Sequence, residues 1–170
     1  MHPKKERTLV IIKPDGVKGG FTEEIIKRYE AVGLKVVKRK DIMAPLDIVE
    51  KHYPMDPEYL KSIGEKTIAA GQAVTSAEDQ GRKVVGWLRS FITSGPIVVM
   101  ILEGEDAVKL ARKTTGFTDP STAEAGTIRG DLGTDNILDA NKEERPVYNL
   151  IHASGSEEEA VKEIQLWFPE

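Results

Sequence analysis

The chain contains no cysteine, and this absence removes several kinds of chemistry from consideration. Without thiols there can be no disulfide framework, no cysteine nucleophile and no zinc site with cysteine ligands. Because disulfides mark oxidising compartments, a chain that has none is compatible with a cytoplasmic location, which we expect. A chain of 170 residues is long enough to bury a hydrophobic core without covalent cross-links.

The chain also lacks excess positive charge and long apolar runs. Its formal net charge is −4 and 31% of its residues are charged, so no bulk positive charge is available for nucleic acid. No apolar run approaches the roughly 20 residues that span a bilayer. The first residues, "MHPKKERTLVIIKPDG", do not have the small-residue cleavage pattern of a signal peptide. We therefore expect neither a membrane nor a nucleic acid as partner.

Alternating strand and helix patterns predict an α+β fold. "RTLVIIK" and "PIVVMILEG" are apolar runs typical of strands, "LKVVKRKDIMA" alternates like a half-exposed strand, and residues 147–151 predict a fourth strand. Helical spacing separates them, and the order predicts a ferredoxin-like sandwich whose four-stranded antiparallel sheet carries helices on one face. No repeat or low-complexity linker is present, so we expect one domain over residues 1–170.

Other stretches carry turn and loop signals. "PDGVKGG" predicts a turn, and a helix that starts near Asp56 is expected to end at Gly64. Loops are expected in "EKTIAAGQAVTSAEDQG", in "FTDPSTAEAGTIRGDLGTDN" and around the charged run "NKEERP".

His152 raises a question of function. It follows the strand predicted at 147–151 and precedes a helix start in which Ser156 and Glu159 have capping-box spacing. We therefore expect it at a strand-to-helix corner, where side chains face solvent or a ligand. Taken alone, a histidine at a strand edge is more often a hydrogen-bonded surface residue.

Side chains that can bind phosphate lie near the predicted strand ends and loops. No Gly-x-Gly-x-x-Gly fingerprint and no Walker loop is present, so any phosphate site must be built differently. The candidates are Lys13, Arg112, Thr118 and Arg129, because arginine forks suit phosphate and lysine supplies a point charge. Each alone is more often a solvated surface group, but together with one histidine they would make a nucleotide triphosphate site with a nucleophile.

Several motifs match a known family in that family's order. They are "ERTLVIIKPDGV", "EKHY", "SGPIVVMILEG", "GFTDP", "GTIRGDLG", "NLIHAS" and "EEEAVKEIQLWF". On these motifs the sequence resembles nucleoside diphosphate kinase. The resemblance implies a ping-pong reaction in which His152 takes the γ-phosphoryl group from a nucleoside triphosphate and passes it to another diphosphate, which maintains nucleoside triphosphate pools.

The resemblance also implies roles for individual residues. Lys13 would contact the γ-phosphate and the sugar hydroxyl, Tyr53 would lie against the transferring group, and Ser154 and Glu163 would orient His152. Phosphate contacts would come from Arg112, Thr118 and Arg129, and the ribose contact from Asn149. Mg²⁺ would be held mainly by the nucleotide phosphates, so no metal ligand is expected on the protein, and ATP and other nucleoside tri- and diphosphates would be the ligands. The family forms homo-oligomers, tetramers or hexamers, and the sequence leaves the choice open.

Two stretches depart from the family pattern. One insertion, at about residues 64–84, falls in the helical lid over the base, and we call it the lid insertion; the other, at about 136–146, we call the second insertion. The usual aromatic stacker is missing from the lid, so Tyr59 is the candidate, with Trp87 behind it; equally, both rings could simply pack the lid helices. Gly155 stands where the family usually has aspartate.

Two alternatives to the kinase were weighed. A nucleotide-binding module that has lost turnover would be expected to lose at least one of the matching residues, and here all are retained. An RNA-binding ferredoxin-like domain would need aromatic side chains on exposed strands, and only "VYNL" offers one. Neither His2 nor His52 is expected to become stably phosphorylated.

Overall fold

A computed structural model describes residues 5–169 of the chain. Its strands form one sheet in the order β2-β3-β1-β4, in which every neighbouring pair is antiparallel. The strands are β1 (Lys5–Ile12), β2 (Lys35–Ile42), β3 (Ile97–Glu105) and β4 (Ile151–Ala153). This is the strand order of a ferredoxin-like sandwich, and the predicted four-stranded α+β fold is confirmed.

Both faces of this sheet are buried, which corrects the expectation of helices on one face. In β1, Val10 and Ile12 pack into one hydrophobic cluster, whereas Leu9 and Ile11 pack into the other. All four side chains are 0% exposed. A continuous apolar run such as "LVII" is typical of a strand with both faces covered, because successive side chains point to opposite faces.

Nine helices surround the sheet within residues 5–169. They are α1 (Pro14–Lys18), α2 (Thr22–Ala31), α3 (Leu46–His52), α4 (Pro57–Ala69), α5 (Ala77–Ile92), α6 (Ala107–Thr115), α7 (Ile128–Leu132), α8 (Ile137–Lys142) and α9 (Glu157–Trp167). Helix α9 begins as the spacing predicts: the Ser156 hydroxyl accepts a hydrogen bond from the Glu159 amide, 3.1 Å away.

Several predicted loops and turns are helical. "PDGVKGG" forms the single turn α1, because Pro14 suits the first position of a helix. Helix α4 continues past Gly64 to Ala69, so only 70–76 links it to α5. The long loop after Gly116 contains a 3₁₀ turn (Pro120–Thr122) and α7, and the second insertion contains α8. In α7 and α8 the side chains of Thr127 and Asn136 cap the first turn. Threonine and asparagine are typical N-cap residues, so both positions favour a helix start where a loop is expected.

The fourth strand is shifted along the chain relative to its prediction. It covers Ile151–Ala153, and residues 147–150 lead into it without strand structure. Leu150 has a positive φ of 71°, a conformation that no regular strand contains. Among the described residues, no helix is both long and apolar enough to cross a membrane. His2 lies outside the described residues.

Candidate active site

His152 lies in the middle of β4, not at the strand-to-helix corner that its sequence context predicts. It pairs with Ile11 of the central strand β1. Hydrogen bonds hold the preceding turn: the Lys13 amide donates to the Leu150 carbonyl at 2.8 Å, and the Leu150 amide donates to Asp15 Oδ2 at 3.0 Å. The histidine is therefore fixed on the rigid sheet, while its side chain stays 20% exposed and lines a cavity.

Glu163 of α9 holds one edge of the His152 ring. Both carboxylate oxygens lie 3.0 Å from Nε2 of His152, and the Ser154 hydroxyl donates to Oε1 of Glu163 at 2.6 Å. Burial alone would raise the pKa of Glu163, but His152, His52 and Ser154 together lower it to about 2. An ionised Glu163 accepts a hydrogen bond from the N–H at Nε2, so that in the neutral tautomer of His152 the unprotonated nitrogen is Nδ1. Nδ1 makes no hydrogen bond with any residue in 5–169.

His52 packs edge-on against His152, with ring centroids 4.4 Å apart. Its Nδ1 accepts a hydrogen bond from the indole of Trp167 at 3.1 Å. Burial, followed by the charge of His152, lowers the pKa of His52 to about 3, so this ring is neutral. His52 therefore supports the His152 side chain; its Nδ1 is occupied by Trp167, and its Nε2 is buried without a hydrogen-bond partner among the described residues.

Lys13 stands at the end of β1, beside the His152 strand. Its ammonium group donates to Oδ1 of Asn149 at 3.0 Å, and the side chain is buried. Burial and then the positive charge of Arg129 lower the pKa of Lys13 to about 7. Asp15 is nearby, but its own burial raises its pKa, so it offsets the positive charge only in part.

Arg129 and Arg112 enter the same cavity from α7 and α6. Arg129 is buried and binds three backbone carbonyls, those of Asn149 at 3.0 Å, Gly116 at 3.1 Å and Ile151. Burial lowers the pKa of Arg129 to about 10, with a further contribution from the charge of Arg112. Arg112 is exposed, and among residues 5–169 its side chain reaches only the Ala153 carbonyl, at 3.5 Å.

The remaining predicted residues line the same cavity, whose volume is about 610 Å³. Asn149 donates to the Thr118 carbonyl at 3.0 Å, which ties together two of the predicted contacts. The Tyr53 ring is buried, and its hydroxyl makes no hydrogen bond with the described residues. Tyr59 and Trp87 both face the cavity from α4 and α5. Ser154 is the one predicted site residue that does not line it, because its hydroxyl is turned toward Glu163 and β1.

The carboxylates at the cavity do not form a site for Mg²⁺. Within residues 5–169, the group with spacing suited to a metal is His52, His152 and Glu163. Mg²⁺ prefers oxygen ligands, whereas two imidazoles suit transition metals better. Glu163 is also occupied by His152 and Ser154. The residues present therefore fit a magnesium ion that arrives bound to phosphates.

Three features of the site were missed in reading the sequence. Arg129 binds the backbone as well as facing the cavity, Trp167 anchors His52, and Lys66 of α4 joins the cavity wall. The Lys66 signal was available in principle, because Tyr59, Ile63 and Lys66 share one face of a helix. It was obscured by the expectation that the helix ends at Gly64.

Comparison with known proteins identifies the family. The family model described as "Nucleoside diphosphate kinase" matches residues 6–170. The nucleoside diphosphate kinase of Pyrobaculum aerophilum is 44% identical, with 97% of this chain and 96% of that protein covered; the Pyrococcus furiosus enzyme is 44% identical, with 96% and 83% covered.

Solved structures agree with the sequence relatives. A crystal structure of an NDP kinase from Pyrobaculum aerophilum superposes with a TM-score of 0.92 at 41% identity, covering 98% of this chain and 97% of that one. A nucleoside-diphosphate kinase from Borrelia burgdorferi, described as a transition state mimic with bound vanadate and ADP, gives a TM-score of 0.80 at 31% identity, covering 98% and 88%. The chain belongs to the nucleoside diphosphate kinase family of enzymes.

Proposed function

We propose that the protein moves the γ-phosphoryl group of a nucleoside triphosphate to a nucleoside diphosphate through phosphorylated His152. The observation that carries this proposal is the state of the imidazole: Glu163 holds Nε2, and Nδ1 is left without a partner beside a cavity that several cations line. A neutral imidazole nitrogen is a good nucleophile toward phosphorus at neutral pH.

The reaction has two matching halves. In the first, the Nδ1 lone pair attacks the γ-phosphorus, the bond from this phosphorus to the β,γ-bridging oxygen breaks, and the nucleoside diphosphate leaves. In the second, a terminal β-phosphate oxygen of another diphosphate attacks the phosphorus and the phosphorus–nitrogen bond breaks, which restores free His152. The proton on Nε2 stays beside Glu163 throughout, so Glu163 stabilises the positive ring that forms in each half.

The surrounding side chains have matching proposed roles. Lys13, Arg112 and Arg129 neutralise phosphate charge, Thr118 and Asn149 hold phosphate and ribose, and the Tyr53 hydroxyl lies against the transferring group. Tyr59 is proposed to stack on the base, and Ser154 to orient Glu163. Mg²⁺ on the nucleotide phosphates would reduce the charge that these residues must neutralise.

Two kinds of observation support these roles. Lys13, Arg112 and Arg129 form no ion pair with any acid in residues 5–169, so their charges remain available to a ligand. The Borrelia burgdorferi relative, similar over 98% of this chain, is described with vanadate and ADP bound. We extend the proposal to a cytoplasmic homo-oligomer, tetramer or hexamer, that maintains nucleoside triphosphate pools.

Intact-protein mass spectrometry after brief incubation with ATP and magnesium tests the proposal. We expect a single acid-labile phosphate adduct on the wild type, no adduct on the His152→Ala variant, and discharge of the adduct by GDP to give GTP. The His52→Ala variant is the control, because His52 is buried and its Nδ1 accepts a hydrogen bond from Trp167. If the adduct persisted in His152→Ala and disappeared in His52→Ala, the assignment of the nucleophile would be wrong.

The same experiment tests the alternative of a binding module without turnover. In that case ADP would bind and yet ATP would leave no adduct on the wild-type protein. Gly155 is the feature that favours this alternative, since the family usually has aspartate there. In the structure the Gly155 amide donates to Oε2 of Glu159 at 2.8 Å, so Glu159 holds this turn without an aspartate side chain.

A further inference from the structure

Helix α4 presents one continuous stripe of side chains to the cavity. Tyr59, Ser62, Ile63, Lys66 and Thr67 recur at intervals of three or four residues, so they share one face. Two of these five residues, Lys66 and Thr67, lie in the lid insertion, beyond Gly64. The insertion therefore does more than lengthen the lid, because it adds a positively charged side chain to the cavity wall.

Lys66 belongs to the same group of charges as the predicted phosphate-binding residues. The charge of Lys66 acts on Lys13, and the charges of Arg129 and Arg112 act on Lys66. The side chain is accessible to solvent, yet cavity walls surround it, and this enclosure together with the two arginines lowers the pKa of Lys66. Like charges repel, so their convergence indicates a binding site for an anion.

Lys66 forms no ion pair with any acid in residues 5–169, and the charge of Glu159 offsets the nearby arginines only in part. Its ammonium group makes no ion pair and no hydrogen bond with a described residue. Two other cations that line the cavity differ in this respect: Arg145 pairs with Asp135 at 2.6 Å, and Lys162 pairs with Glu158 at 3.4 Å. Lys66 is thus an available donor that faces a cavity already lined by arginines.

We propose that Lys66 of the lid insertion binds the non-transferred phosphates of the nucleoside diphosphate, as a further phosphate-binding residue of this site. The proposal rests on the proposed function and deepens it. Lys66 lines the same cavity as Arg112 and Arg129, the two arginines that are proposed to hold the nucleotide phosphates. Lys66 would therefore add a further cation to those that bind the diphosphate.

Titration calorimetry with ADP, GDP and CDP on Lys66→Met tests the contact. Methionine keeps the length and apolar stem of lysine and removes its charge. We expect the Kd of all three diphosphates to rise by about tenfold, as for the loss of one charged hydrogen bond. Lys66→Arg should restore the Kd to within about threefold, because arginine also donates to phosphate. The turnover rate at saturating diphosphate should change by less than about twofold, since a ground-state contact affects KM and not kcat.

Lys61→Met is the matched control on the same helix. Lys61 is exposed and lies outside the cavity lining, so the Kd values of the three diphosphates for Lys61→Met should equal those for the wild type. Three results would overturn the proposal: equal Kd values for Lys66→Met and Lys61→Met, a loss confined to one base, or a loss of kcat without a change in KM. The phosphate adduct on wild-type His152 is measured separately, so failure of the proposed function would be seen as a missing adduct while diphosphate binding still depended on Lys66.

Discussion

Arg129 has two tasks that a single guanidinium can combine. Of its five N–H donors, three bind the backbone carbonyls of Asn149, Gly116 and Ile151. The end of α6 and the start of β4 are thereby tied together, with His152 next in the chain. The two donors that remain can face a phosphate, and their direction is already fixed by the three bonds behind them.

We predict that Arg129→Ala lowers phosphoryl transfer by at least about tenfold, which is one transition-state contact of roughly 1.4 kcal/mol. It should also lower the free energy of unfolding by about 1–3 kcal/mol, because buried carbonyls lose their donors. Steady-state kinetics and urea unfolding measure the two effects. Arg112→Ala is the control for stability: within the described part of the chain its side chain makes one hydrogen bond, the 3.5 Å contact with Ala153, so its loss should leave the free energy of unfolding nearly unchanged. An unchanged transfer rate in Arg129→Ala would remove this residue from the site.

The identity of the site residues could be predicted from the sequence, but their hydrogen-bond partners could not. Family motifs identified His152, Lys13 and Arg129 as candidates, and the structure places all three around one cavity. Arg129 donates hydrogen bonds to main-chain carbonyls, and these acceptors cannot be recognised from the sequence because every residue has a carbonyl. The same is true of Trp167, which binds His52 across 115 positions of sequence.

Two glycines determine how closely α4 and α5 approach each other. A Cβ atom on Gly64 would lie 1.7 Å from the carbonyl oxygen of Ala77, and one on Gly81 would lie 1.7 Å from that of Leu60. The two glycines therefore make reciprocal contacts at a helix crossing where only hydrogen fits. The sequence predicts that the helix ends at Gly64, whereas Gly64 lies in mid-helix and makes this close contact.

A buried polar cluster joins the lid insertion to the second insertion. Gln80 of α5 donates to Oδ1 of Asn141 in α8 at 2.8 Å, and Asn141 donates to the Thr67 hydroxyl of α4 at 3.3 Å. All three side chains are buried. Because such groups are costly to bury without partners, the two insertions stabilise each other over the cavity.

We predict that Gly64→Ala and Gly81→Ala each destabilise the α4–α5 pair, because the helices must move apart to admit a methyl group. The free energy of unfolding should fall by about 1–3 kcal/mol, and the Kd for ADP should rise, since the lid carries Tyr59 and Lys66. Gly86→Ala on α5 is the matched control: nothing lies within 4 Å of its Cβ position, so the variant should gain up to about 1 kcal/mol from helix propensity. Urea unfolding and calorimetry measure both. If Gly64→Ala behaved like Gly86→Ala, the close crossing would be wrong.

The regular elements were predictable to the extent that their pattern is local. Apolar runs located β1 and β3, and the Ser156–Glu159 spacing located the start of α9. The fourth strand was predicted, but its bounds were wrong, because they depend on pairing with β1. Leu150 before it adopts a backbone conformation that no local pattern of apolar residues encodes. The continuous apolar runs of β1 and β3 indicate that both faces of the sheet are covered. The expectation of helices on one face came from the predicted topology, and it was wrong.

At the scale of the whole molecule, the charge distribution is uneven. The chain has a net charge of −4, yet Lys13, Lys66, Arg112 and Arg129 interact around one cavity. Without a bound anion, this arrangement reduces the stability of the fold, because charged groups repel one another and Lys13 is buried. A nucleotide removes that cost, so ligand binding and stability are linked.

The pH dependence of stability is where this linkage can be measured. Burial lowers the pKa of Lys13 to about 7 in the folded protein, against its ordinary value of 10.5. Between these two values the unfolded state binds more protons, so the free energy of unfolding of the nucleotide-free protein increases with pH. From pH 7 to pH 9 we expect an increase of about 2 kcal/mol from this one group, at up to about 1.36 kcal/mol per pH unit.

Urea unfolding at fixed protein concentration, with and without ADP, tests this expectation in wild type and Lys13→Met. The free energy of unfolding of the wild type should increase from pH 7 to pH 9. In Lys13→Met this increase should be smaller by about 2 kcal/mol, because the variant has no ammonium group to deprotonate. Saturating ADP should reduce the pH dependence of the wild-type free energy of unfolding, since phosphate stabilises the charged form of Lys13.

The measurements stay below pH 10 because burial raises the pKa of Tyr29 and Tyr53, and above that pH these groups make the free energy of unfolding decrease with pH. Equal slopes in wild type and Lys13→Met would show that the buried amine does not carry the linkage.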